Sequence, residues 1–178
     1  RTLQKFASTL RQFEKPVVAA CHGYTLGGGC EVALGSDHIV IAAETYMGLP
    51  EVGVGLIPGG HGSKEVLIRC TEQVIRNDEA DYFPGVRHAW ETLGLAKVST
   101  SAAEAAKLRF LRNGETTLVL NRDWVIGEAK AQVLQMAAQG YRPRPQRTDI
   151  PAIGEAGLSL FKVILQQMRG AGQISEHD

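Results

Sequence analysis

This sequence is short of the features that usually classify a chain at a glance. It has three cysteines in 178 residues, Cys21, Cys30 and Cys70, with no CxxC pair and one left over. Neither a disulfide framework nor a zinc site is expected from them. Neither sign of charge is in excess, since 19 basic residues meet 19 acidic ones. No basic field exists to attract nucleic acid or an anionic membrane surface. Long apolar runs are missing too: stretches such as Val17–Cys21 reach about five residues, against the ~20 that span a bilayer. No leader pattern opens the sequence, and a reducing cytoplasm is the expected setting. The chain starts at Arg1 without an initiator Met and ends on ISEHD, a Ser cap with no helix behind it. A fragment of a longer polypeptide is expected.

What is present suits a globular core, with 44% hydrophobic residues. Leu3, Phe6, Leu10 and Phe13 predict an amphipathic helix that Lys15-Pro16 ends. Val17–Cys21 and His38–Ala43 predict buried strands, with a turn over His22–Leu26 before the first helix start. Tyr46–Gly48 is extended, Val52–Gly62 a loop, and Ser63–Arg69 a helix. Cys70–Gly85 is charged and hard to place. Beyond it come a helix over Val86–Ala96, a short extended Lys97–Ser99, a helix capped by Thr100 or Ser101, and a strand at Leu118–Leu120. Asn121 caps a long helix with the stripe Ile126, Ala129, Val133 and Ala137. The fold class is α/β. The expected organisation is a core over 1–140, a Pro-rich linker over 141–154 (YRPRPQRTDIP within it), and a helical segment over 155–178 with Leu158, Phe161, Leu165 and Met168 on one face.

The chemistry gathers between Gly27 and Glu51. Gly27, Gly28 and Gly29 would each cost up to ~1 kcal/mol inside a helix, but they suit its first turn. There the amides have no intrahelical acceptor and a ligand can approach them. Glu31 follows at once, and Glu51 closes the stretch after Pro50. The glycines of Val52–Gly62 do not make a nucleotide loop: GxGxxG would need glycine at Pro58, and a P-loop needs Lys before Ser, whereas Ser63 precedes Lys64.

The run KPVVAACHGYTLGGGCEVALGSDHIVIAAETYMGLPEVGVGLIPGG, from Lys15 on, resembles the core signature of the crotonase (enoyl-CoA hydratase/isomerase) superfamily. Ala96–Leu111 is more weakly similar to a following helix of that family, and the remainder resembles a crotonase domain of long bifunctional proteins that also carry a 3-hydroxyacyl-CoA dehydrogenase part. The resemblance implies a spiral of ββα units, here without its N-terminal part, and later helices that build a homotrimer or dimer of trimers. It implies an acyl-CoA thioester substrate and hydration of 2-enoyl-CoA in fatty-acid β-oxidation. Glu31 and Glu51 would be the acid–base pair and Gly28 an oxyanion donor between Gly27 and Gly29. Isomerases of the superfamily commonly lose the first acid, so the pair favours a hydratase; an isomerase, or a silent assembly module, is the alternative. No metal or cofactor is implied for this chain, and NAD only for a dehydrogenase part of the parent. The second oxyanion donor is expected near an earlier G-A-D motif. None precedes Lys15, so the isolated chain is expected to hydrate poorly.

Other residues have plainer readings. His61 stands where the family usually has glycine or alanine, and is expected to be a loop histidine without a role. Cys21 and His22 are neighbours on a strand and face opposite ways. Cys30 is expected to be a small core residue. Arg142, Arg144 and Arg147 could meet CoA phosphates, but a solvated linker is the expectation.

Overall fold

The computed structural model describes residues 2–75 and 81–177. Helix α1 (Thr2–Arg11) leads into β1 (Val18–Cys21), β2 (Tyr24–Leu26), α2 (Gly28–Gly35), β3 (His38–Ala42) and β4 (Tyr46–Gly48). A 3-10 turn over Glu51–Val54 and a glycine-rich loop lead to α3 (Gly62–Ile75). Then follow α4 (Phe83–Gly94), β5 (Val98–Ser99), α5 (Ala102–Lys107), β6 (Thr116–Val119), α6 (Val125–Ala138) and α7 (Gly154–Gly170). The strands form two three-stranded sheets, β1-β3-β6 and β2-β4-β5. Every pair is parallel except β4 with β5.

Strand β3 is central, and all five of its residues are buried. Because side chains alternate along a strand, Ile39 and Ile41 enter one apolar cluster, with Leu34, Met47, Leu49 and Phe110. Val40 and Ala42 enter the other, with Val119, Val125 and Ala129. An unbroken apolar run is what a parallel strand covered on both faces requires. Helix α2 therefore stands on the core, between β2 and β3, and carries Glu31 with it.

Beneath α2 lies a buried ion triad. Glu65 on α3 is fully buried. It accepts from Arg69 Nη1 at 2.8 Å and from Arg11 Nε at 3.2 Å, and Arg69 also donates to the Leu34 carbonyl at 3.0 Å. Burial pushes the Glu65 carboxyl up, but Arg69, Arg11, Lys64 and His61 outweigh it and hold the group below its ordinary value. The triad ties α1, α2 and α3 into one body.

The structure corrects several expectations. The turn over His22–Leu26 contains β2, whose three residues pair in parallel with β4. Three residues are too few for periodicity to show. The loop expected over Val52–Gly62 begins with the 3-10 turn, and α3 runs past Arg69 to Ile75. The region that was hard to place is thus partly helical, and Arg76–Ala80 lies outside the described residues. In α6 a 3-10 turn over Arg122–Trp124, capped by Asn121, shifts the helix start. The buried face carries Val125 and Ala129, while Ile126 is 71% exposed and Ala137 is exposed. On α7 Leu158 is exposed. Phe161 instead stacks on Trp90 and Phe83 of α4 at 5.0 and 6.2 Å. Nor is the segment before α7 simply solvated: Arg144 donates to Glu115 at 2.7 Å and to the Asp37 carbonyl at 3.1 Å, and Arg147 pairs with Asp149. Ser175 opens no helix; its hydroxyl accepts from the His177 amide at 3.2 Å, and Asp178 lies outside the described residues. Among the described residues no helix is long and apolar enough to cross a membrane.

Removing the central acid of the triad leaves Arg69 buried without its partner, which typically costs about 3–5 kcal/mol. Glu65→Leu is expected to lower the urea midpoint accordingly. The folded carboxyl titrates below its ordinary 4.5. Its contribution is complete above that pH and is lost as pH falls through the lower folded value. Unfolding curves between about pH 7 and pH 3 should therefore show a steeper acid loss for wild type than for Glu65→Gln.

Candidate active site

Gly27 ends the approach to α2. Its φ of 55° is in the left-handed region, and its amide donates to the Gly48 carbonyl at 3.0 Å. A methyl group there would also lie 3.5 Å from Glu51 Oε1. Gly28 and Gly29 form the first turn, and the first helical bond is Glu31 N to Gly27 O at 2.9 Å. The amides of Gly28 and Gly29 precede it and have no intrahelical acceptor. A Cβ on either glycine would meet nothing within 4 Å among the described residues. Close packing against the strand, the plain reading of these glycines, therefore does not explain Gly28 or Gly29. Orphan amides at an exposed helix start, with no side chain over them, suit the approach of an anionic group.

Glu31 is only 2% exposed, yet its nearest bonded partners are not cations. Its carboxylate accepts from the amides of Gly60 at 3.1 Å, His61 at 2.9 Å and Gly62 at 2.7 Å. These amides open α3, so an acid on one helix caps the next at its positive end. A Cβ on Gly60 would fall 2.2 Å from Glu31 Oε2, and one on Gly62 would fall 3.0 Å from Oε1 and 2.7 Å from Leu49. Glycine is required at both. A carboxylate offers about four acceptor positions. With two bonds on Oε1 and one on Oε2, a position on Oε2 is left.

Glu51 opens the 3-10 turn after Pro50, and its environment is the opposite. Oε2 is buried and bonded to nothing among the described residues. Burial pushes its carboxyl above the ordinary value; its own backbone amide opposes this, and the Glu31 charge adds to it. Two acids of one kind are thus held differently, one clamped by amides and one unsatisfied. A carboxyl pushed up by burial beside a second acid is a candidate for acid–base work. The sequence pointed to both acids and the three glycines, but not to the amides of Gly60, His61 and Gly62. The PGGHG spacing was the available signal, set aside because it makes no phosphate loop. His61 packs its ring against Gly35. Cys30 is fully buried, and burial pushes its thiol up. Among the described residues no cluster of three or more His, Cys, Asp or Glu could hold a metal.

The close approach at Gly60 gives a paired prediction. Gly60→Ala drives a methyl into the Glu31 carboxylate and should lose about 1–3 kcal/mol. Gly59→Ala, whose nearest neighbour is an ordinary 3.6 Å contact, should stay within about 0.5 kcal/mol. Urea unfolding of the two variants checks this.

The enoyl-CoA hydratase/isomerase family matches residues 1–74. The chain is 38% identical over all 178 residues to a probable 3-hydroxyacyl-CoA dehydrogenase of Bacillus subtilis, covering 22% of that protein. It is 43% identical over 87 residues to the crotonyl-CoA hydratase of Syntrophomonas wolfei, which is 43% of this chain and 34% of that one. The chain thus spans about a third or less of either relative. A crystal structure of enoyl-CoA hydratase from Bacillus anthracis superposes over 92% of this chain and 58% of its own, with a TM-score of 0.59 at 23% identity, a likeness of fold. By the family match over residues 1–74, and in its fold, this chain resembles the crotonase superfamily.

Proposed function

We propose that this chain carries the acid–base pair and one oxyanion donor of a 2-enoyl-CoA hydratase. The observation that carries the reading is the buried, unbonded carboxylate oxygen of Glu51, beside Gly27 and near enough to Glu31 for the two charges to interact. A buried carboxylate oxygen without a hydrogen-bond partner is costly to folding unless a ligand completes it. The named activity of the Syntrophomonas relative supports the same reading.

In the proposed reaction Glu31 and Glu51 hold a water molecule between them, with the vacant position on Glu31 Oε2 accepting one of its protons. The water oxygen adds to Cβ of the enoyl thioester as its proton passes to Glu51, the carboxylate that returns it to Cα. The π electrons move to the thioester oxygen, where the Gly28 amide at the positive end of α2 stabilises the charge. Glu51 then protonates Cα, and the product is a 3-hydroxyacyl-CoA. The chain's own residues need no metal or redox group for these steps. For the parent protein we infer a dehydrogenase part, and with it NAD, from the printed name of the Bacillus relative.

Glu51→Gln in the parent protein should lower kcat for crotonyl-CoA hydration by about 10²–10⁴-fold. Its thermal midpoint should hold or rise, since an unsatisfied charge is removed. Near-normal turnover would refute the role. Gain of 3-enoyl isomerisation without hydration in wild type would move the reading to an isomerase. Gly28→Ala should likewise fold with undiminished stability, because glycine in a helix loses up to ~1 kcal/mol against alanine, while its kcat/KM falls; an unchanged kcat/KM would remove Gly28 from the site.

A further inference from the structure

We propose that His61 is a positioning residue for Glu31: its imidazole, seated against Gly35, fixes the turn whose amides hold the Glu31 carboxylate, and proton uptake by the ring releases that turn. The proposal rests on the hydration reading of Glu31 and adds a residue that neither the family pattern nor the site chemistry called for.

Geometry carries it. His61 is the middle residue of the three-amide cradle, between two glycines that cannot accept a side chain. Its amide donates to Glu31 Oε1 at 2.9 Å, and its carbonyl accepts the Glu65 amide at 3.0 Å, so the backbone joins Glu31 to the first turn of α3. Its ring lies on Gly35, where an added Cβ would be 3.0 Å from Nε2 and 3.2 Å from Cε1, next to Leu10 of α1 at 3.5 Å. Glu31 and Gly35 are four residues apart on α2 and share a face. His61 therefore grips one face of α2 at two points a turn apart, by its amide and by its ring. Two points of contact fix the rotation of the turn, which one hydrogen bond does not.

The choice of an imidazole is the second observation. Both ring nitrogens are buried and unbonded among the described residues. An apolar side chain would fill the slot without leaving two buried polar atoms unsatisfied, which is unfavourable. The charged groups that face the ring are Arg11 from α1, Glu31 from α2, and Lys64 and Glu65 from α3. Burial pushes its pKa below the ordinary 6.5; Glu65 and Glu31 oppose this, and Lys64 and Arg11 add to it. The seated state is thus favoured in full above pH 6.5 and loses that preference as pH falls through the folded value. A protonated ring has no acceptor in the slot. It must leave, and the His61 amide leaves with it.

The test uses the parent protein with His61→Phe, which keeps a ring that does not titrate, and His61→Gly, which empties the slot. Two readouts are followed between about pH 5.5 and 8: kcat and KM for crotonyl-CoA hydration, and the NMR shifts of the Gly60 and Gly62 amides, which do not depend on turnover. In wild type, kcat and both amide shifts should share one titration step below pH 6.5. In His61→Phe the step should vanish from both. In His61→Gly kcat should fall on the order of tenfold or more at every pH, with KM within about twofold. A step that persists in His61→Phe, or a His61→Gly variant with wild-type kcat and amide shifts, overturns the proposal. If His61→Phe does not fold, His61→Gln reads the same step. Amide shifts that titrate in a protein without hydratase activity would keep the His61 assignment and sink the hydratase reading, whereas hydration with pH-independent amides would do the reverse.

Discussion

The contact on which this structure turns is the burial of the Glu31 carboxylate under the first amides of α3. A charge almost wholly removed from water has to be compensated, and here the compensation is a helix end rather than a cation. That demand sets much else. It requires glycine at positions 60 and 62, sends α3 away from α2 along a fixed direction, and so puts Glu65 and Arg69 beneath α2 in reach of Arg11. The ion triad and the capped helix are consecutive turns of the same element.

Against this background the two acids show how one residue type can be given two characters by surroundings alone. Glu31 is stabilised as an anion by three amides. Glu51 is desolvated, unbonded on one oxygen, and pushed up further by its neighbour. An acceptor and a donor of protons are needed side by side for addition of water across a double bond. The two carboxylates differ in their partners: three amides hold Glu31, while one buried oxygen of Glu51 is bonded to nothing among the described residues.

Much of this was legible in the sequence because its signals are local. The apolar run of β3, the glycines that open α2 and the Ser101 cap each act within a few residues, and each lies where expected. The superfamily was legible from the run between Lys15 and Gly60 for the same reason. What stayed hidden depends on distant partners. Strand β2 has three residues and exists by pairing with β4. The buried face of α6 keeps Ala129 but opens on Val125 rather than Ile126, because it is chosen by packing against β3 and β6. The cradle for Glu31 joins residues about thirty positions apart. His61 looked idle because its two attachments, to Glu31 and to Gly35, both lie on another helix.

Strand β3, clothed on both faces, has a consequence for motion. Its amides lie in the part of the molecule that opens only when the whole unfolds, and α2 rests directly on one of its two clusters. Hydrogen exchange along α2 is thereby coupled to global unfolding, and Glu31 shares the lifetime of the core. The turn that bears Glu51 has no buried residue of its own and runs into Val54, Leu56 and Ile57, all exposed. It belongs to the low end of the local-opening scale. One carboxylate keeps time with the slow unfolding of the domain, and the other with the fast breathing of a surface turn.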